Sequence, residues 1–271
     1  MASVDPVLLI DVGNTNIKVG LAVLGSIRSS YVLPSSLTET ADTLGLKITD
    51  ICRHEQISPK AVSAWMVSSV VPPLDSAVRR AGEKFSDCPV YFVPDSLEVP
   101  LQNAYDNPSE VGADRLVTAY AARELFSSPG LLVVDFGTAT TLECIQDWQY
   151  LGGLICPGIF SSLQALGGQT SKLPRISLEL DSSDLIIGRN TATSMSHGFI
   201  YGFAAMIDGL CHRLQGLLRG EITVVGTGGY AARVQPVSAC LQEVRPDLLM
   251  QGLLLMYGFL EEGRTAGEQR R

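Results

Sequence analysis

The sequence predicts an α/β protein made of two related halves, each organised around a strand, a tight turn and a second strand. In residues 8–21 (LLIDVGNTNIKVGL) an apolar run meets Asp11, and the alternation of apolar residues resumes after the turn. Residues 131–145 (LLVVDFGTATTLECI) repeat the order of apolar run, Asp, Gly and Thr around Asp135. A repeated pattern of this kind indicates a duplicated chain.

The first turn carries groups suited to a polyanion. Gly13 lets the backbone approach a ligand, and the turn amides, the Thr15 hydroxyl and the Lys18 ammonium are donors for phosphate oxygens. Asp11, at a strand end, suits a hydrated Mg²⁺. An ordinary hairpin explains the turn chemistry equally well when this stretch is taken alone. The second copy favours two phosphate-binding turns with one nucleotide between them.

Composition excludes several classes of protein. The chain has 271 residues, of which 46% are hydrophobic, enough for one large or two modest domains with a real core. Its net charge of −8 argues against a nucleic-acid-binding surface, which needs clustered Lys and Arg. An anionic ligand is therefore expected to be bound locally, by amides, a metal ion and a few cations.

The sequence also lacks the features of a secreted or membrane protein. Its six cysteines are scattered, without the spacing of a zinc site, as is typical of reduced and mostly buried thiols. Asp5 and Asp11 interrupt the first apolar run, unlike a signal peptide. The longest late apolar run, residues 252–260, is too short to span a bilayer. We expect a soluble, cytoplasmic protein without membrane contact.

The other segments predict alternating strands and helices. Strands are expected over residues 22–33, 61–71, 90–93, 150–155 and 222–229. A helix start is expected at 34–36, and helices over 40–53, 74–85, 116–126, 157–166, 190–218, from 230 and over 246–260, before a frayed tail from 261. Residues 167–174, with Thr170 and Lys172, are expected to form a loop. Either simple surface or a lid over the acceptor suits that loop.

A polar stretch, residues 105–115 (YDNPSEVGADR), feeds the helix expected over 116–126. Asp114 stands at the start of this helix, where an N-cap is the commoner explanation by about two to one. Arg115 fits that explanation badly, because a cation at a helix N-terminus is unfavourable unless an anion is nearby. Together they indicate a substrate with a hydroxyl, oriented by Asp114, and a carboxylate, held by Arg115.

Two later segments add candidates. Asn190 is the expected cap of a long helix, which places Thr191 beside the amides of the first turn, where a carboxylate or phosphate is welcome. Gly198 and Gly202 in that helix indicate close helix packing, as at a dimer interface. The glycine turn at 227–229 follows a strand and is placed to contact an adenosine.

Three motifs together are similar to those of the type III pantothenate kinases, short relatives of the acetate and sugar kinases, Hsp70 and actin. They are D-x-G-N-T-x-x-K at 11–18, G-A-D-R at 112–115 and D-F-G-T-A-T-T at 135–141. The resemblance spans residues 8 to about 259, with further matches at 152–158, 188–191 and 227–229. It implies duplicated ribonuclease H-like (actin-like ATPase) domains with mixed β-sheets flanked by helices. The halves would be residues 1–126 and 127–271, with an ATP cleft between them.

The resemblance also implies roles for single residues. It implies that ATP is bound by Asp11, Val12, Gly13, Asn14, Thr15, Asn16, Ile17, Lys18 and Thr138, with Asp11 on the Mg²⁺ side through water. It implies that pantothenate is bound by Tyr105, Gly112, Ala113, Asp114, Arg115 and Thr191. Asp114 would be the general base, and Asp135 would ligate a monovalent cation, K⁺ or NH₄⁺. The family works as a homodimer with the acceptor site near the subunit interface.

The implied reaction is in-line phosphoryl transfer from ATP to pantothenate, the first step of coenzyme A biosynthesis. Two alternatives remain. Another small-molecule kinase of the superfamily is one, although the cysteine-rich zinc motif of ROK sugar kinases is missing from the sequence. A non-catalytic nucleotide-binding regulatory protein, such as a transcription accessory factor, is the other. The presence of Asp114 and Lys18 favours the kinase.

Overall fold

The computed structural model describes residues 5–169, 178 and 184–268; Thr170 and Lys172 lie outside these ranges. The strands are β1 (Val7–Val12), β2 (Asn16–Val23), β3 (Ser26–Pro34), β4 (Ala64–Ser69), β5 (Val90–Val93), β6 (Gln102–Asn103), β7 (Gly130–Phe136), β8 (Ala139–Gln146), β9 (Gln149–Pro157), β10 (Ile222–Gly228) and β11 (Glu243–Val244). The helices are α1 (Ala41–His54), α2 (Pro72–Ala81), α3 (Ala113–Leu125), α4 (Ile159–Gln169), α5 (Thr191–Gln215), α6 (Ala231–Val234) and α7 (Leu248–Glu268). Both expected hairpins are present, as β1–β2 and β7–β8.

The chain folds into two compact units. The first unit takes its described residues from 1–100, 109–121 and 249–271, and the second takes them from 101–108 and 122–248. The C-terminal helix α7 therefore belongs to the same unit as the N-terminal strands. The pattern of residues along the sequence does not reveal that α7 belongs to the first unit, because this placement depends on packing between distant segments.

The two sheets share one topology. The first has the strand order β3-β2-β1-β4-β5, with β1–β2 and β2–β3 antiparallel and β1–β4 and β4–β5 parallel. The second has the order β11-β10-β7-β8-β9-β6. Taken in the opposite sense, β9-β8-β7-β10-β11 reproduces the first sheet, with β9–β8 and β8–β7 antiparallel and β7–β10 and β10–β11 parallel. The mixed sheets flanked by helices confirm the predicted duplicated α/β fold.

Packing in the first unit fixes the position of α3. One face of β1 and β2 is buried together with residues of α1 and α2. On the other face Gly20 lies close to Met250 of α7, since a Cβ built at Gly20 would lie 3.3 Å from the Met250 sulfur. A Cβ at Gly252 of α7 would lie 2.5 Å from the carbonyl oxygen of Val117 on α3. Close contact with α7 thus holds α3, which carries Asp114.

Several element boundaries differ from the sequence-based expectation. The first helix does not start at residues 34–36, because the Thr40 hydroxyl accepts from the Thr43 amide and caps α1. The second helix starts at Pro72, since proline suits the first position of a helix. The third starts at Ala113, three residues earlier than expected, so most of the G-A-D-R motif lies in its first turn.

The helix ends differ as well. Helix α4 runs to Gln169, so residues 167–169 are helical and not part of a loop. Helix α7 continues to Glu268, beyond the point at which we expected a frayed tail. None of the helices in the described part of the chain has the length and the apolar character needed to cross a membrane.

Candidate active site

The first turn is built by its own backbone. The Gly13 amide donates to the carbonyl oxygen of Asn16 at 3.0 Å, and a Cβ at Gly13 would lie 3.1 Å from the same oxygen. The amide of Ser35, after β3, donates to the carbonyl oxygen of Thr15 at 3.0 Å. Asn14, Thr15 and Asn16 are exposed. Gly13 therefore closes the turn, and the exposed residues after it present the surface that a phosphate could meet.

The register of the first sheet places three polar residues in one row. Asp11 of β1 is opposite Lys18 of β2, and on its other side it is opposite Ser68 of β4. Residues opposite one another on neighbouring strands direct their side chains to the same face of a sheet. A carboxylate, an exposed ammonium and a buried hydroxyl thus share a face at the end of β1.

The G-A-D-R motif contacts the end of the same strand through Val70. The Val70 amide donates to the carbonyl oxygen of Val12 at 3.0 Å, and a Cβ at Gly112 would lie 3.4 Å from a methyl carbon of Val70. Asp114 is the second residue of α3 and is not its N-cap; its carboxylate accepts from the Arg115 amide at 2.8 Å. The predicted base and the Asp11 strand therefore belong to one connected part of the first unit.

A carboxylate that we did not predict lies at this edge of the sheet. The Ser69 hydroxyl, at the end of β4, donates to Asp75 at 2.5 Å. Burial raises the pKa of Asp75, the bond from Ser69 partly offsets this rise, and the nearby charge of Asp95 raises the pKa further. The sequence offers one signal for this contact, the pair Ser68 and Ser69 at the end of a buried strand. It did not single out Asp75, because serines at such a position are also typical of ordinary turns.

The second turn repeats the first and adds a close contact. The Gly137 amide donates to the carbonyl oxygen of Ala139 at 3.0 Å. The carbonyl oxygen of Thr138, an exposed residue, accepts from the Ser161 hydroxyl at 2.7 Å. Gly228, at the end of β10, has φ of +84°, and a Cβ there would lie 2.3 Å from a carboxylate oxygen of Asp135. The expected third glycine turn thus lies directly beside Asp135.

The two acceptor candidates of the second unit lie on separate elements. The Tyr105 ring stacks on Tyr150 with 6.5 Å between ring centroids and lies against Gly152, whose φ is +106°. Asn190 caps α5 as expected, because its side chain accepts from the Thr193 amide at 2.9 Å. Thr191, the first residue of α5, is exposed and lines a groove of about 780 Å³.

The described residues contain no group of three or more His, Cys, Asp or Glu side chains that could hold a metal ion. A single carboxylate at a strand end still fits Mg²⁺, which keeps several waters and shares its ligands with substrate phosphates. At the second turn, Asp135 and the Phe136 carbonyl oxygen both lie within 2.8 Å of the position that a Gly228 Cβ would occupy. Carboxylate and carbonyl oxygens are the kinds of ligand that a hard cation takes.

The repeated sheets, with an Asp at the end of the first strand of each repeat, define a duplicated ribonuclease H-like fold. A family model described as type III pantothenate kinase matches residues 7–213. The chain belongs to the type III pantothenate kinase family.

Individual proteins are similar to this chain in sequence or in fold. The chain is 52% identical over 251 residues to a type III pantothenate kinase of Nitratidesulfovibrio vulgaris, an alignment that covers 92% of this chain and 96% of that one. Among solved structures, it is similar to a conserved putative Baf family transcriptional activator from Campylobacter jejuni, with a TM-score of 0.59, 16% identity and coverage of 94% and 100%. It is also similar to a ROK family glucokinase from Streptomyces griseus in complex with glucose and AMPPNP, with a TM-score of 0.52, 11% identity and coverage of 92% and 98%. At these identities both structures show the fold alone.

Two adjacent glycines test the contact at Asp135. Gly228→Ala should lower the free energy of unfolding by about 1–3 kcal/mol, because the new methyl group collides with the Asp135 carboxylate in a left-handed backbone. Gly229→Ala is the matched control, since a Cβ at Gly229 meets nothing within 4 Å and a change within about 0.5 kcal/mol is expected. Chemical denaturation measures both. Equal stability of the two variants would contradict the contact.

Proposed function

We propose that this chain transfers the γ-phosphoryl group of ATP to the primary hydroxyl of pantothenate, giving 4′-phosphopantothenate and ADP. Family membership supports this reaction. The structural observation that carries it is the link from the end of β1 through Val70 to the first turn of α3, because it joins Asp11 and Asp114 within one unit. The reaction would open coenzyme A biosynthesis, and we propose that it takes place in the cytoplasm.

Asp114 is proposed to be the general base. Its carboxylate is partly exposed at the helix start, where it can accept the proton of the acceptor hydroxyl while Arg115 holds the pantothenate carboxylate. Phosphoryl transfer passes through a loose transition state, so positioning and charge compensation are the main requirements. Lys18 compensates charge on the phosphates. Mg²⁺, when bound beside Asp11, neutralises charge on the phosphate oxygens.

The other proposed contacts follow the motifs. ATP is bound by residues 11–18 in the first unit and by Thr138 in the second, and pantothenate by the G-A-D-R motif with Tyr105 and Thr191. We further propose that residues 1–126 and 127–271 are the two duplicated halves of the sequence, a division supported by the repeated strand order. It differs from the division into compact units, because α7 belongs to the first unit and β6 to the second. The regulatory alternative is not favoured, since the matching family model and the curated relatives are described as type III pantothenate kinases.

Asp114→Asn should reduce pantothenate-dependent ADP release by about 10²–10⁴-fold, the usual contribution of general base catalysis. Binding of ATP should persist, because the phosphate-binding turn is unchanged. A coupled ADP assay measures the rate, and calorimetry measures ATP binding.

Asp106→Asn is the matched control, because Asp106 is an exposed carboxylate in the same polar stretch and is expected to keep full activity. Acetate and sugars in place of pantothenate should give no turnover. If Asp114→Asn kept most of its activity, the base assignment would be wrong.

We propose that Asp135 ligates an activating monovalent cation, K⁺ or NH₄⁺. The Phe136 carbonyl oxygen, which lies with the Asp135 carboxylate beside Gly228, supports this assignment, because carboxylate and carbonyl oxygens are the ligands that a hard cation takes. Asp135→Asn should raise the half-saturating K⁺ concentration at least about tenfold, as loss of a ligand charge does. Rates measured against K⁺ in a Tris background give this value, and an unchanged K⁺ dependence contradicts the assignment.

We propose a homodimer formed through the exposed groove of α5. Gly198 and Gly202 have open space at the Cβ position, and Phe199, Phe203 and Met206 line the same groove of about 780 Å³. Gly202→Arg should therefore convert the dimer to a monomer, because a desolvated charge without a partner opposes an apolar contact. Gly258→Arg on α7, also with open space, is the control. Light scattering after size exclusion measures the mass, and a dimeric Gly202→Arg variant would contradict this interface.

A further inference from the structure

One buried hydroxyl at the end of β4 has no hydrogen-bond partner among the residues that the structure describes. Ser68 is 0% exposed, and its hydroxyl makes no hydrogen bond within the described part of the chain. A buried hydroxyl without a partner loses its bonds to water and gains none in return, so it lowers stability. The position of Ser68 is therefore unexpected for a residue that serves only the fold.

The other buried serine near this strand behaves differently. Ser86 is 1% exposed, and its hydroxyl accepts from the ring nitrogen of Trp65 at 3.0 Å. Trp65 is the second residue of β4, and Ser68 is the fifth, near the opposite end of the strand. The two serines thus provide a matched pair, one with a partner and one without.

Ser68 lies in the row that contains Asp11. The two residues are opposite one another in the parallel pair β1–β4, and Lys18 is opposite Asp11 on the other side. The alternating neighbours Val67 and Trp65 belong to the core on the α1 and α2 face, so Ser68 is directed to the other face together with Asp11. The hydroxyl without a partner is thus on the same face, and in the same row, as the proposed Mg²⁺-side carboxylate.

We propose that Ser68 is a positioning residue that donates its hydroxyl proton to the Asp11 carboxylate when Mg²⁺ and ATP bind. An ionised carboxylate only accepts hydrogen bonds, and a serine hydroxyl can donate one to it. Carboxylates at metal sites are generally oriented by such neighbouring donors. This inference rests on the proposed function and extends it to a residue that no motif identified.

The test compares three variants with the wild type in two measurements. Calorimetry measures the affinity for Mg²⁺ with the non-hydrolysable analogue AMPPNP, and thermal unfolding without nucleotide measures stability. Ser68→Ala should bind Mg·AMPPNP about tenfold more weakly, in the range found for lost neighbouring donors at metal sites. Its unfolding temperature should be unchanged or higher, because the hydroxyl that it loses has no partner.

The second and third variants exclude a merely structural effect. Ser68→Thr keeps a hydroxyl on a β-branched side chain suited to a strand, and should retain most of the affinity. Ser86→Ala should show the opposite pattern to Ser68→Ala, with a lower unfolding temperature and unchanged binding, because the Trp65 N–H loses its acceptor. With EDTA in place of Mg²⁺, the difference in AMPPNP binding between Ser68→Ala and wild type should disappear.

The results separate the inference from the proposed function. If Ser68→Ala bound Mg·AMPPNP as tightly as wild type, or unfolded at a lower temperature, the inference would fail even in a protein that phosphorylates pantothenate. A binding difference that persisted in EDTA would also overturn it, since the effect would not act through the Mg²⁺ side. Wild-type protein that bound Mg·AMPPNP without phosphorylating pantothenate would overturn the proposed function, and the same binding comparison would still decide the role of Ser68.

Discussion

The pairing of β1 with a strand on each side determines what the first unit can bind. Its antiparallel partner contributes Lys18 and its parallel partner contributes Ser68, both opposite Asp11. A shift of one residue in either register would direct these side chains to the opposite face and into the apolar core. The chemistry at the end of β1 therefore depends both on a local hairpin, which brings Lys18 to Asp11, and on a parallel pairing with a distant segment, which brings Ser68.

The second unit uses the same scaffold with different side chains. Asp135 occupies the position of Asp11 in the repeated topology, but its cross-strand neighbours are Thr141 and Thr227. This row therefore contains no cationic side chain. The backbone of Gly228, which has no side chain, lies against the Asp135 carboxylate. A lysine beside the first Asp suits phosphate, whereas the threonine hydroxyls opposite the second Asp and the Phe136 carbonyl oxygen near it suit the proposed monovalent cation. Duplication followed by substitution at two positions in the row thus accounts for two different proposed tasks.

Much of the fold could be predicted from local pattern. Strands with period-two alternation and an Asp-x-Gly turn identify both hairpins, since the signal lies within about fifteen residues. Helix starts were less predictable, because a capping interaction such as that of Thr40 with Thr43 competes with nearby alternatives. The return of α7 to the first unit depends on Gly20 and Gly252, whose contacts are with distant helices. No local pattern contains that information.

The site divides in the same way. Asp11, Lys18, Asp114 and Asp135 stand in compact motifs, so their residue types at these spacings were sufficient to single them out. Ser68 was missed because its neighbours suggest only the end of a strand; its importance arises from register and burial. Gly228 was expected to meet an adenosine, but its contact with Asp135 depends on the parallel pair β7–β10.

A crystal structure with Mg·AMPPNP and pantothenate tests the central claim most directly. We expect phosphate oxygens at hydrogen-bonding distance from the turn at residues 13–15, and the acceptor hydroxyl oxygen about 3 Å from the Asp114 carboxylate. A nucleotide bound away from this turn, or an acceptor hydroxyl out of reach of Asp114, would contradict the account.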